Sequence, residues 1–220
     1  MNMSDNQQRK LTEKEQERAV LFEATSNRLK EEGYTRKDLT ITIVKANYVG
    51  GLLVLPIFAV FVAVFLILYW IEPVRTAFKG SGVMTGVWLI LSGLSMFPLA
   101  IVHEGIHGIS WGLFAQNKMK DIEYGFIKEM LTPYCYCRSP LTKCQYIFGS
   151  MMPMTILGII VCISGIVFAN IFLMIIGLLQ VLGGSGDILI TSMLLRYKSP
   201  NKDRVLMDHP TECGLIISEK

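Results

Sequence analysis

Three apolar stretches, residues 48–71, 83–102 and 145–195, constrain this chain more than any other feature of its sequence. A bilayer core about 30 Å thick is crossed by roughly 20 helical residues, whose backbone polar groups must be satisfied within the crossing segment. The first two stretches each suit one crossing. The third is too long for one and carries a turn signal at Ala169 and Asn170, so it reads as two. The expectation is a mainly α, polytopic membrane protein with four transmembrane helices at about 48–71, 83–115, 146–168 and 171–195. Composition points the same way, since 51% of the 220 residues are hydrophobic and only 18% charged, outside the usual range of soluble domains.

Charge sets the orientation. Lys and Arg crowd the segment before the first span, residues 116–143, and the tail after the fourth span, whereas the loop between spans one and two has only Arg75 and Lys79. By the positive-inside rule both termini and the 116–143 loop are cytoplasmic, in an integral protein of a cell membrane. A net charge of +3, with no basic run interleaved with aromatics, argues against nucleic acid as a partner. The first apolar run begins only at residue 48 and is too long for a signal-peptide core, so it is expected to remain in the mature protein. Cys135, Cys137, Cys144 and Cys213 then face reducing surroundings and Cys162 lies in a span, so no disulfide framework is implied. Cys135, Cys137 and Cys144 lack the C-x-x-C pair of a structural zinc site and read as reduced interfacial cysteines. Met151, Met152 and Met154 read as packing residues.

Three regions follow: a polar segment 1–47, a membrane domain 48–195, and a tail 196–220. Residues 11–33 are helix-like and end at Gly33, a C-cap residue. Alternating Thr and Ile in 38–47 favour a short strand. Turn residues and aromatics between spans two and three suggest a short β-hairpin over 119–137 on the cytoplasmic side, and the tail suggests two strands around Asp208, His209 and Pro210.

Chemistry concentrates in "HEGIH". His103 and His107 are four residues apart, on one face of a helix, so two imidazoles can converge on one Zn²⁺. Glu104 then lies beside the metal without ligating it, placed to take a proton from water. A lone match of this kind can arise by chance. Inside a bilayer, though, each ionisable group costs on the order of 2.5–3.5 kcal/mol, and three in five residues call for compensation of the sort a metal provides.

A catalytic zinc needs a third protein ligand. Asp187 is the one charge within the last two spans. His103 falls roughly 30 Å along span two and Asp187 roughly 24 Å along span four, both running inward, so their depths agree. Gly183, Gly184 and Gly186 either let this helix approach another or unwind it, and both help a short side chain reach a metal. The alternative is a capping aspartate at a helix break or in a water cavity. His209 reads as a turn histidine, and Glu123 and Glu129 as solvated hairpin carboxylates.

With these residues in view, the chain resembles the intramembrane zinc metalloproteases of the site-2 class. It is more similar still to a zincin peptidase family of small bacterial integral-membrane proteins carrying a domain of unknown function, through "HEGIHG", "TPYCYC", "GSMMP", "GSGD" and "DHPTECG". The resemblance implies zinc on His103, His107 and Asp187 with Glu104 as base. The site-2 pattern has Leu-Asp-Gly at the last ligand, preceded by Asn-x-x-Pro. Here Gly186 and Ile188 flank Asp187 and no such Asn-Pro pair exists, so the ligands carry over and the substrate-positioning residues do not. The activity implied is hydrolysis of a membrane protein or peptide substrate, with the hairpin holding an unwound strand by edge pairing. A non-proteolytic scaffold or regulator that keeps the zinc site is the alternative. A transporter is disfavoured, because four spans offer little pathway.

Overall fold

The computed structural model describes residues 13–69, 82–127, 132–201 and 203–220. The loop with Arg75 and Lys79, and Glu129, lie outside them. Helix α1 (Glu13–Glu31) is followed by strand β1 (Thr35–Thr40), the long α2 (Ile43–Tyr69), α3 (Gly82–Leu94) and α4 (Met96–Gly112). A hairpin of β2 (Ile122–Ile127) and β3 (Thr132–Cys137) leads to α5 (Lys143–Pro153), a π-helical segment (Met154–Ile160) and α6 (Val161–Val167). Next come α7 (Ile171–Gly183), α8 (Ser185–Arg196) and the strands β4 (Arg204–Asp208) and β5 (Gly214–Glu219).

Among the described residues, three helical stretches are long and apolar enough to cross a membrane: Val44–Tyr69, Gly82–Gly112 and Lys143–Val167. The pair α7–α8 passes the same test only as a unit bent by 47°, so the candidate spans among the described residues number three, or four if the bent pair is one crossing. The expected turn at 169–170 is present. Ala169 has φ 49° and the Asn170 side chain caps α7 through the amides of Phe172 and Leu173. Many large apolar side chains of these helices face outward, as in Val60, Ile67, Ile101, Val102 and Ile109. Lipid is the solvent that makes such a surface cheap.

The two polar termini are not separate segments, because β1, β5 and β4 form one antiparallel sheet in that order. Side chains of a strand alternate between faces. Leu206, Leu215 and Ile217 pack with Trp111, Tyr146 and Leu141, while Met207 and Ile216 pack with Phe22 and Leu29 of α1. The sheet is thus sandwiched between α1 and the end of α4. Gly33, at φ 91°, ends α1 with its N–H on the Lys30 carbonyl and the next N–H, of Tyr34, on that of Leu29, the pairing of a Schellman cap. The Thr and Ile alternation straddles a junction instead of forming one strand. β1 stops at Thr40, and Thr42 starts α2 by accepting the Lys45 N–H on its hydroxyl.

Candidate metal centre

Helix α4 is amphipathic in lipid. His103, His107, Ser110 and Trp111 lie on its buried face, and Ile101, Val102 and Ile109 on its exposed one. Asp187 reaches the same place from α8. Gly184 sits at the 47° bend between α7 and α8 with its backbone against Met154, which puts Asp187 in the first turn of the new helix, where the positive end of the helix dipole favours a carboxylate. Gly183 and Gly186 have open space beside them, so of the three glycines it is Gly184 that sits in close contact. α2 closes the bend from behind: a Cβ on Gly50 would stand 2.6 Å from the Ser185 carbonyl oxygen.

The donors form a small triangle. His103 Nε2 is 3.2 Å from Asp187 Oδ2, His107 Nε2 is 3.3 Å from Asp187 Oδ1, and the two Nε2 atoms are 3.2 Å apart. Ligands bound tetrahedrally at about 2.0–2.1 Å stand about 3.3 Å from one another. Two imidazole nitrogens at that spacing, each with a different oxygen of the Asp187 carboxylate beside it, are close enough to converge on a zinc ion. Among the described residues this is the group of three or more His, Cys, Asp and Glu side chains that could hold a metal. Glu104 lies half-buried beside the triangle, near the backbone of Cys135.

The orientation of His107 is built into α5. Its Nδ1 is 2.9 Å from the Gly149 carbonyl oxygen, and a carbonyl only accepts, so Nδ1 carries the proton and the Nε2 lone pair faces the triangle. That carbonyl is available because of Pro153. In a regular helix the Gly149 carbonyl would receive the N–H of residue 153, and proline has none. Gly149 also has to be glycine, since a Cβ there would stand 2.0 Å from Trp111 Cδ1. Trp111 stacks on the His107 ring at 4.9 Å and donates its indole N–H to the Tyr146 carbonyl at 3.1 Å. Trp111 has a local sequence signal, four residues after His107. The roles of Gly149, Pro153 and Tyr146 arise only when α4 and α5 meet.

Strand β3 ties the centre to the sheet. The Cys137 amide donates to the half-buried Asp208 carboxylate at 3.2 Å. The Asp208 carboxylate also accepts the Tyr146 hydroxyl. On the outer edge of β3 the Cys137 amide is thereby occupied, and Pro133, in step with it, has no N–H to offer there.

Other candidates have different duties. His209 Nδ1 accepts the Glu212 N–H at 2.8 Å, a turn role. Glu123 is not the solvated carboxylate expected of a hairpin: its side chain is 10% exposed and pairs with Arg18 at 2.9 Å and Arg138 at 3.0 Å. Burial pushes its pKa up, but the hydrogen bonds and charges of the two arginines outweigh that and hold it below the usual value. Cys137 is buried and its pKa is pushed up to about 12 by burial and by Asp208, so it is held as a thiol rather than a thiolate ligand. Cys135 is half-buried and Cys144 exposed.

Residues 96–201, which contain the whole triangle, match the model of a protein family described as "Putative zincin peptidase". No curated protein and no solved structure matches the chain. The matched region runs from the start of α4 to the residues just beyond α8, and leaves α1, α2, α3, β1, β4 and β5 outside it.

Proposed function

We propose that this chain is a membrane-embedded zinc metallopeptidase that hydrolyses peptide bonds of a membrane-associated protein or peptide, in or beside the bilayer and on its cytoplasmic side. The observation that carries the reading is the triangle of His103 Nε2, His107 Nε2 and the Asp187 carboxylate, with edges of 3.2–3.3 Å and Glu104 alongside. Zinc held by these three residues would supply a Lewis acid that polarises a carbonyl and acidifies water. The chain's own residues supply the rest. Glu104 accepts a proton from the attacking water and returns it to the leaving amine, general acid–base work of the kind worth about 10²–10⁴ in rate. The Gly149 carbonyl holds His107 in the ligating tautomer. Because the outer edge of β3 has its Cys137 amide taken and no N–H at Pro133, an unwound substrate strand would add to the opposite edge of the hairpin, along β2.

Purified protein should contain one zinc per chain. Glu104→Gln should retain that zinc and lose cleavage of a membrane-peptide substrate by at least about 100-fold, and Asp187→Asn should lose the zinc. Unchanged cleavage in Glu104→Gln would refute the peptidase reading. The β3 edge, with the Cys137 amide taken and Pro133 lacking one, also favours a second reading, a metal-holding membrane scaffold without proteolysis. Stoichiometric zinc together with intact membrane peptides after long incubation would select it.

A further inference from the structure

Away from the zinc triangle, a half-open cleft of about 410 Å³ separates α1 from the segment that follows α4 and from the end of β3. Its walls are Leu21, Phe22 and Thr25 on one side and Gln116, Tyr136 and Pro140 on the other, with Arg18, Arg28, Arg138 and Asp121 among them. The volume lies within the range of small-molecule sites.

The acids of this region are committed. Asp121 accepts from the Asn117 amide at 2.9 Å, the Asn117 side chain at 3.1 Å and the Ser139 hydroxyl at 2.9 Å. Glu123 gives one oxygen to Arg18 and the other to Arg138. The arginines have donors to spare. Arg28 meets Glu32 only at 3.8 Å, beyond hydrogen-bond distance. Arg18 is only 8% exposed. Its Nε and that of Arg138 are two of only four buried side-chain polar atoms, among the described residues, that lack a hydrogen-bond partner. Orphan donors on two arginines of one cleft call for a ligand or ordered water that supplies acceptors. Guanidinium forks match phosphate oxygens in pairs, and Leu21, Phe22, Tyr136 and Pro140 suit an apolar body attached to that phosphate.

We infer that this cleft binds a phosphate ester, its phosphate held by Arg28 and Arg138 against Arg18 and its carbon skeleton on the apolar wall. The phosphate comes from a soluble metabolite or from the headgroup of an anionic lipid, since Gln116 and Asn117 lie just past the end of a candidate span. An occupant packs α1 against Tyr136 across the cleft.

The test uses the full chain and reads thermal unfolding, with no metal-dependent signal. One arm titrates inorganic phosphate and glycerol phosphate in neutral detergent. The other compares nanodiscs of phosphatidylcholine with and without phosphatidic acid. A saturable rise in Tm is expected in one arm, and the arm that responds identifies the source. Arg138→Lys, which keeps the charge and loses the fork, and Arg28→Gln should each raise the half-saturating concentration at least about tenfold, while Arg196→Gln, exposed at the end of α8, should leave it unchanged. If Arg138→Lys fails to fold, the exposed Arg28→Gln carries the test. No saturable shift in either arm, or an equal loss in Arg196→Gln, overturns the inference.

Discussion

Replacing Gly149 by alanine places a methyl group where the structure has none to spare. The added Cβ would lie 2.0 Å from Trp111 Cδ1 and 2.2 Å from its Nε1. Carbon atoms rest about 3.5–4.0 Å apart, so α4 and α5 must part, or the indole must move, by roughly 1.5 Å. A parting of that size stretches the His107 Nδ1 to Gly149 oxygen distance of 2.9 Å beyond bonding and threatens the Trp111 to Tyr146 bond of 3.1 Å. Overpacking costs about 1–3 kcal/mol and each buried donor left unpaired a similar amount, so a total of about 2–5 kcal/mol is expected. Loss of the bond that orients a metal ligand lowers metal affinity about 10–100-fold. Zinc affinity from chelator competition, beside Tm in detergent, separates the two effects. A variant that unfolds earlier yet binds zinc within about twofold of the parent would refute the claim that the Gly149 carbonyl orients His107.

Pro153→Ala should act with opposite signs on the same two readouts: removing a proline from a helix interior leaves Tm unchanged or raised, whereas the restored N–H competes for the Gly149 carbonyl and weakens zinc binding. Equal zinc affinity in the two proteins would show that Pro153 has no part in orienting His107. Glu123, with its pKa held below the ordinary carboxylate value, stabilises the fold most above about pH 4.3, and that stabilisation is lost as pH falls through the depressed folded value. Tm measured from about pH 6 downward should therefore fall more steeply in the parent than in Glu123→Gln, and parallel slopes would show that the Arg18–Glu123–Arg138 link contributes nothing to the pH dependence.

What could be read from the sequence, and what could not, divides along the range of the interactions involved. Two histidines one turn apart on a helix, and an aspartate at matching depth in another apolar run, are visible because helical rise turns residue number into depth. The bend that delivers Asp187 was foreshadowed by its glycines, and the cap at Gly33 by local residue type. The pairing of β1 with β5 was not visible, because it joins positions such as Lys37 and Ile217 across the whole chain and neither strand records its partner. Glu123 was misread for the same reason: its arginines come from α1 and from the end of β3, so its local surroundings suggested solvent. The sequence "GSMMP" carried a signal that becomes legible only with α4 beside it, when the missing N–H of Pro153 and the missing Cβ of Gly149 both face His107.

The central claim is that His103, His107 and Asp187 hold the metal. Zinc-edge X-ray absorption on the purified full chain tests it most directly. One zinc per chain is predicted, with a first shell of nitrogen and oxygen at about 2.0–2.1 Å whose imidazole scattering weakens, or whose zinc is lost, in His107→Ala. A sulfur shell at about 2.3 Å, which would assign the metal to Cys135, Cys137 or Cys144, or a protein purified without stoichiometric zinc, would contradict it.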